Sequence, residues 1–306
     1  MSLLTYCMNI MQSILFLVMI VVTMTMSEAS ARRILEVIRE EPSITSKENA
    51  VTKVKDGSVD FEDVTFSYRD DAKEPVLKNV TLHIRSGETI GILGGTGSAK
   101  TSLVNLISRL YDVSDGAVKV GGVDVRDYDT RALRKSVSVV LQKNVLFSGT
   151  IYDNLRWGDK NASKEDCQRA AKTACADEFI KTLPDGYNTW IEQGGSNVSG
   201  GQKQRLCIAR ALLLHPKVLI FDDSTSAVDT ATEAKIRKNL RETMPEVTKL
   251  VIAQRISSVK EILVLDGGTI SGFDTHEKLL QTNEIYREVC ESQLGMADDA
   301  DFDPKR

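Results

Sequence analysis

From residue 58 the chain alternates apolar and polar positions in SVDFEDVTFSY, the period-two pattern of a strand with one buried face. NVTLHI (79–84) and ETIGIL (88–93) predict two more short strands. GAVKVGGVDV (116–125) sets Gly-Gly between two alternating segments, the signal of a hairpin. From about residue 150 to 215 the period becomes helical, with TLPDGY (182–187) as a turn. Strand and helix then alternate through KVLIFD, TEAKIRKNLRET, KLVIAQ and EILVLD. That alternation predicts an α/β fold, a sheet with a parallel core covered by helices.

Residues 2–26, SLLTYCMNIMQSILFLVMIVVTMTM, break this pattern because they carry no charged side chain. A helix needs about 20 apolar residues to cross a bilayer core. A secretory signal is the alternative, since Ala29-Ser30-Ala31 resembles a cleavage site. Against it, no Lys or Arg precedes the run, and the run is too long for a signal core. The expectation is a membrane span, with Arg32 and Arg33 placing everything downstream in the cytoplasm. ARRILEVIREEP continues in helical register, its stripe formed by Ile34, Leu35, Val37 and Ile38 and its stop by Pro42. The predicted division is a span with its cytoplasmic extension over 1–42 and a polar linker over 43–56. A single domain over 57–295 follows, then a disordered acidic tail over 296–306.

Composition narrows the function classes. A hydrophobic share of 42% with 27% charged residues allows a full core. The net charge of −4 and the absence of a basic stripe argue against a nucleic-acid partner. Cys7, Cys167, Cys175, Cys207 and Cys290 lack metal-ligand spacing and are read as scattered, reduced thiols.

Two stretches carry nucleotide chemistry. GGTGSAKTS runs from Gly94 through Gly95, Thr96, Gly97, Ser98, Ala99, Lys100 and Thr101 to Ser102, between an apolar strand and a helix start. Backbone N–H groups in such a loop, backed by the helix N-terminus, face an anion. Lys100 is placed to reach the β- and γ-phosphates of ATP, and the Thr101 hydroxyl to ligate Mg2+. A glycine-rich turn without ligand is the plainer alternative, and the flanking strand with Lys-Thr weighs against it. The strict pattern has Gly where this chain has Ala99; a methyl is tolerated there if the backbone needs no positive φ. Further on, KVLIFDDSTSAVD (217–229) runs a buried strand into two aspartates. Asp222 stands where a magnesium-holding carboxylate belongs, and Asp223 where a catalytic base is expected.

NVSGGQKQRLCIARAL (197–212) resembles the signature of ATP-binding cassette (ABC) proteins. Ser199, Gly200, Gly201 and Gln202 precede a helix N-terminus and are suited to donate hydrogen bonds to a γ-phosphate. In that family the signature of one subunit closes over the nucleotide held by another. The resemblance implies a P-loop NTPase cassette: a mixed sheet core, an antiparallel β-subdomain and a helical subdomain, here preceded by one membrane helix. It further implies that Tyr68 stacks on adenine and that Gln142 contacts Mg2+ and couples the cassette to the membrane domain. Glu192 falls in the loop that touches coupling helices, and Asp229 is the acid of the SAVD loop (226–229) through which two cassettes meet. One membrane helix, a linker and a cassette together look like the C-terminal part of a multidrug-type exporter half-transporter. A fragment or a late start is expected ahead of a split gene, with the full-length protein multi-pass in the plasma membrane.

Two positions depart from the family pattern. Efficient members have Glu where this chain has Asp223 and His where it has Gln254. Asp is one methylene shorter, and a general base needs contact of about 2.6–3.2 Å. A misplacement of about 1 Å costs ~10²-fold. Gln254 donates a neutral hydrogen bond but carries no charge. With Lys100, Thr101, Asp222 and the signature retained, the pattern resembles the degenerate-site subunit of heterodimeric bacterial exporters. The chain is also a few residues shorter than the family pattern between SSVK and ILVLD. The implied partners are a second half-transporter, the bilayer and a transported substrate. The alternatives are a regulatory cassette gated by nucleotide and a soluble ABC ATPase of DNA repair or translation. The apolar span counts against both.

Overall fold

The computed structural model describes residues 2–69, 71–222, 228–252 and 259–299, with side chains in the last helix described to Glu291. The chain divides into two units, Met1–Thr45 and Ser46–Arg306.

The first unit is one helix, α1 (Ser2–Arg39), of 38 residues with none buried. At 1.5 Å per residue it is about 57 Å long. Its length and apolarity suffice to cross a membrane. Ser13, Thr23 and Thr25 satisfy their hydroxyls within the helix. Ser13 donates to the Asn9 carbonyl at 2.9 Å and Thr23 to the Met19 carbonyl at 2.8 Å. Local back-bonding of this kind removes the need for water along the helix.

The second unit opens with strands β1 (Val59–Phe66) and β2 (Leu77–Ile84), then β3 (Thr89–Leu93) and helix α2 (Lys100–Ile107). In β1 the buried positions Val59 and Phe61 change parity to Val64 and Phe66. A bulge between Phe61 and Val64, with Asp63 at φ 48°, absorbs the slip and keeps all four on the core face. The hairpin of β4 (Asp115–Val120) and β5 (Val123–Asp124) turns on Gly121 and Gly122, at φ 61° and 78°, as a two-residue primed turn requires. α3 (Thr130–Ser136) leads into β6 (Val137–Val140).

A helical region follows: the short β7 (Gly149–Thr150), α4 (Ile151–Arg156), α5 (Lys164–Thr173), α6 (Asp177–Ile180), the short β8 (Trp190–Ile191) and α7 (Gly200–Leu212). The chain then returns through β9 (Val218–Asp222), α8 (Thr230–Thr243), β10 (Thr248–Ile252), β11 (Glu261–Asp266) and β12 (Thr269–Asp274). It finishes in α9 (His276–Thr282) and α10 (Glu284–Asp299).

Among the described residues the larger sheet has six strands in the order β12-β11-β3-β10-β9-β6, and an antiparallel sheet has the order β2-β1-β4-β5. Every pairing in the larger sheet is parallel except β11 with β12. The architecture is thus the expected mixed sheet with an antiparallel β-subdomain and a helical region. All five residues of β10 are buried, as are the first four of β9. Burial on both faces is why β9 reads as an unbroken apolar run up to Phe221 and β10 as one from Leu250 to Ile252, with Thr248 and Lys249 buried ahead of it.

Two segments behave differently from their sequence reading. Residues 43–56, polar and unpatterned, do not run loose along their whole length. Val51 forms a parallel bridge to Tyr128, and Val54 is buried among the core residues. Two isolated valines make no periodicity, yet they are enough to dock the strand-like segment they sit in. At the other end α10 runs to Asp299, into the stretch read as acidic tail.

Candidate functional site

Parallel strands expose their C-terminal ends on one edge of a sheet, and ligands of such folds gather there. Here Ile92 of β3 pairs with Ile252 of β10, Ile252 with Asp222 of β9, and Phe221 with Val140 of β6. The segments that follow β3 and β6, 94–102 and 141–148, therefore leave from that edge, where β9 ends at Asp222 and β10 at Ile252.

The Gly94–Ser102 loop is shaped by close approach. A Cβ on Gly94 would lie 2.3 Å from the Leu265 carbonyl oxygen and 2.4 Å from the Ser98 hydroxyl, so only glycine fits. Around Gly95 and Gly97 nothing among the described residues lies within 4 Å of such an atom, which leaves that side of the loop open to a ligand. The Lys100 amine bends back over the loop. It donates to the Gly94 carbonyl at 2.7 Å, the Gly95 carbonyl at 2.8 Å and the Ser98 hydroxyl at 3.2 Å.

Ala99 precedes α2 at φ 71°, ψ 19°, in the left-handed region, with no side-chain cap. The sequence reading tolerated a methyl here only if no positive φ was needed, and that condition is not met. An L-residue in this region carries about 1–2 kcal/mol of steric cost. Part of that cost is offset because the Ala99 methyl packs against the core under the loop.

The Thr101 hydroxyl donates to an Asp222 carboxylate oxygen at 3.2 Å across 121 positions of sequence. This contact brings together the two groups assigned to Mg2+. Hydroxyl and carboxylate oxygens are the hard donors that such an ion takes, usually with phosphate and water completing the shell. Lysine amine, backbone N–H groups and a helix start suit the triphosphate. The residues present fit MgATP.

Tyr68 follows β1, half exposed, and its hydroxyl lies 2.8 Å from that of Ser102. Its ring meets Phe66 and Tyr111 edge to face, with centroids 4.9 and 5.0 Å apart. Tyr111 was not singled out in the sequence; an aromatic just past the helix that follows a phosphate loop was the available signal. Gln142 lies in the exposed loop after β6, on the edge that carries Asp222. Asp223 and Gln254 lie outside the described residues, as do Ser226 and Ala227 of the SAVD loop. Asp229 is the N-cap of α8 and accepts the Thr232 N–H at 2.9 Å. That backbone hydrogen bond holds its carboxyl below the usual range.

The signature Ser199-Gly200-Gly201-Gln202 forms the start of α7. Ser199 caps the helix by accepting the Gln202 N–H at 3.3 Å, and the Gln202 side chain accepts the Ser199 N–H at 2.9 Å. This reciprocal box satisfies two orphan donors at once. From its far end α7 reaches the segment after Gln142. Arg210 donates to the Val145 carbonyl at 3.0 Å and to the Asn154 carbonyl at 2.9 Å. Burial pushes its guanidinium down from the ordinary arginine range. Beside it a cavity of about 290 Å3 is lined by Leu141, Val145, Phe147 and Trp157. Phe147 and Trp157 stack with centroids 4.4 Å apart. The Glu192 loop is tied to the same region: Gly194 donates to the Leu146 carbonyl at 3.0 Å, and Lys203 of α7 to the Gly194 carbonyl at 2.7 Å. Glu192 itself accepts the Ser196 hydroxyl at 2.5 Å.

Comparison with known proteins gives a consistent result. The family profile described as ABC transporter matches residues 77–226. The chain is 40% identical over 276 residues to the uncharacterized ABC transporter ATP-binding protein YknV of Bacillus subtilis, covering 89% of this chain and 45% of that protein. It is 40% identical over 271 residues to the putative multidrug export ATP-binding/permease protein YgaD of the same organism, covering 87% and 47%. Among solved structures, a bacterial Atm1-family ABC exporter with ATP bound superposes with a TM-score of 0.82 at 32% identity. That alignment covers 88% of this chain and 47% of the exporter chain. The chain spans about half the length of these relatives.

Proposed function

We propose, since the chain belongs to the ABC transporter family, that it is the ATP-binding part of an exporter in which ATP binding and hydrolysis drive movement of a substrate across a membrane. The observation that carries this reading is the Thr101–Asp222 hydrogen bond, which joins the phosphate loop to the end of β9 at the open edge of the sheet. MgATP supplies a transferable γ-phosphoryl group with its charge partly neutralised by the metal. The chain's own part is to hold and orient. Lys100 can leave the Gly94 and Gly95 carbonyls for phosphate oxygens, exchanging neutral acceptors for anionic ones and so adding a charge–charge attraction to the bonds its ammonium makes. Tyr68, fixed to Ser102, offers a ring beside the loop for the base.

Export follows from the relatives named above together with α1, which is long and apolar enough to span a bilayer. A regulatory cassette without transport draws no support from them and is not retained. The apolar groove at Leu141, Phe147 and Trp157 is the surface through which the membrane part would act. Arg210 would pass its displacement along α7 to Ser199. The cassette would face the cytoplasm, and the whole protein would sit in the plasma membrane.

The composite site built on this chain's own phosphate loop is proposed to be degenerate, with a second half-transporter as its heterodimeric partner. Residue type supports this: Asp223 is a methylene short for a base, and Gln254 lacks charge. The intact signature would then serve the partner's competent site. The test is single-turnover hydrolysis in the assembled dimer with the partner's own base disabled. Asp223→Glu with Gln254→His should raise the rate by about tenfold or less, each tenfold being ~1.4 kcal/mol of barrier. The strained Ala99 and the shortened segment before β11 remain and hold the gain down. An unchanged rate would show that these two residues do not limit turnover.

A further inference from the structure

A cavity of about 340 Å3 lies between α8 and the six-stranded sheet. It reaches the Gly87–Thr89 turn that enters β3, at the other end of that strand from the phosphate loop. Phe221, Leu240, Val251 and Val259 give it apolar walls. Arg241, Lys249 and Lys260 give it cations, and Glu88 and Glu261 are the carboxylates that line it with them. Arg237, which also faces it, is already paired with Glu233.

Lys249 is the unusual member. It is 4% exposed, yet among the described residues no carboxylate pairs with it. Its amine donates to the carbonyls of Met244 at 2.8 Å and Val247 at 2.7 Å. An ammonium has three donors, and neutral carbonyls take two of them. Burial, then the neighbouring Arg241 charge, push this amine below the ordinary lysine range. A buried cation with a like charge beside it and no counter-ion is costly.

We propose that this cavity binds a small organic monoanion, a carboxylate or sulfonate on an aromatic or short aliphatic body. The charged head meets Lys249 and Arg241, and the body lies against Phe221, Leu240 and Val251. Three cations against two carboxylates leave one positive charge to balance. The volume falls within the range of small-molecule sites, about 300–1,000 Å3. One wall is formed by residues 259–261, at the stretch where the sequence is shorter than the pattern it resembles.

The probe is 4-(trifluoromethyl)benzoate, titrated into the full chain in nanodiscs and followed by fluorine NMR. The neutral 4-(trifluoromethyl)benzyl alcohol is the control. The expected result is saturable benzoate binding that excess MgATP does not displace, with the alcohol at least about tenfold weaker. Lys249→Met and Arg241→Gln should each weaken benzoate by about tenfold, the size of a charge-assisted contact. Lys249→Met keeps the length of the side chain, and Arg241→Gln reports on the same head group if the first variant does not fold. Absence of saturable binding, equal binding of the alcohol, displacement by MgATP, or indifference to both substitutions would each overturn the proposal.

Discussion

Two glycine-rich helix starts, α2 and α7, solve the same local problem in opposite ways. Each must satisfy the first N–H groups of a helix. α7 does so with its own side chains, through the Ser199–Gln202 box. α2 has no side-chain cap, begins from a left-handed Ala99, and is overhung by the Lys100 amine. A cap is worth about 1 kcal/mol, so α7 is self-sufficient where α2 is not. On the proposed reading, the uncapped end is the one that takes phosphate. Leaving α2 uncapped keeps its end available to phosphate. Capping α7 spends one acceptor lone pair of the Ser199 hydroxyl and leaves its proton for an incoming oxygen. The signature can thus donate without giving up its fold.

The strongest way to break this comparison is Lys100→Ala. It removes the only charged donor on the loop, and charge-assisted bonds are worth about 1.5–3 kcal/mol, so ATP binding at this site should weaken by ten- to hundred-fold or more. Photolabelling of the full chain with an ATP analogue reads it, and undiminished labelling would sink the phosphate-loop assignment.

At α7 the cap and the donor can be separated. Ser199→Asp keeps an N-cap acceptor but sets a carboxylate where phosphate would approach. Its thermal midpoint should match the wild type, while steady-state phosphate release by the proposed dimer should fall several-fold, further than with Asp223→Asn. Equal losses from the two variants would mean that both composite sites turn over alike.

α8 supplies a third start, capped by a charge. The lowered carboxyl of Asp229 makes its contribution present above the unfolded value of about 3.9 and lost as pH falls through its folded value. The protection factor of the Thr232 amide, its exchange measured against the intrinsic rate at each pH, should therefore fall in acid, whereas that of Gln202 at the Ser199 cap should not share this titration. Asp229→Asn, which caps without titrating, should flatten the Thr232 profile. A profile that persists in that variant would assign the effect to another group.

The smallest effect is at Ala99. Ala99→Gly relieves about 1–2 kcal/mol of strain but gives up some methyl burial and adds chain entropy in the unfolded state. The net gain should be below about 1 kcal/mol, read as a small rise in the denaturation midpoint. A loss of stability would show that the packed methyl outweighs the strained φ.

Much of the fold was legible because period and punctuation carry it. The alternation from β1 onward, the Gly-Gly hairpin and the apolar runs of β9 and β10 mark their elements directly. What escaped was set by tertiary geometry. The φ of Ala99 depends on how the loop meets α2, and a one-letter change from glycine does not report it. Val51 and Val54 dock a segment too sparse to show a period. Lys249 sits in a strand that continues as Leu250-Val251-Ile252, so its burial is visible, but the Met244 and Val247 carbonyls that hold it belong to the turn before the strand. The groove at Phe147 and Trp157 depends on Arg210 joining segments far apart in sequence. At the site, residue type and spacing pointed to Lys100, Thr101 and Asp222, while Tyr111 needed three dimensions.

The Val51 bridge has a mechanical consequence. The segment entering the second unit is fastened by Val51 to both Asp127 and Asp129, by the Lys47–Asp127 ion pair, and by Ser46 to Asp129 at 3.2 Å. Val54 then anchors it in the core. Tension arriving from the chain before Ser46 is therefore carried by the turn after β5 before it can reach β1. That bracket acts as strain relief: the strands bearing the phosphate loop and Asp222 lie beyond it in the load path, shielded from being peeled by whatever moves ahead of them.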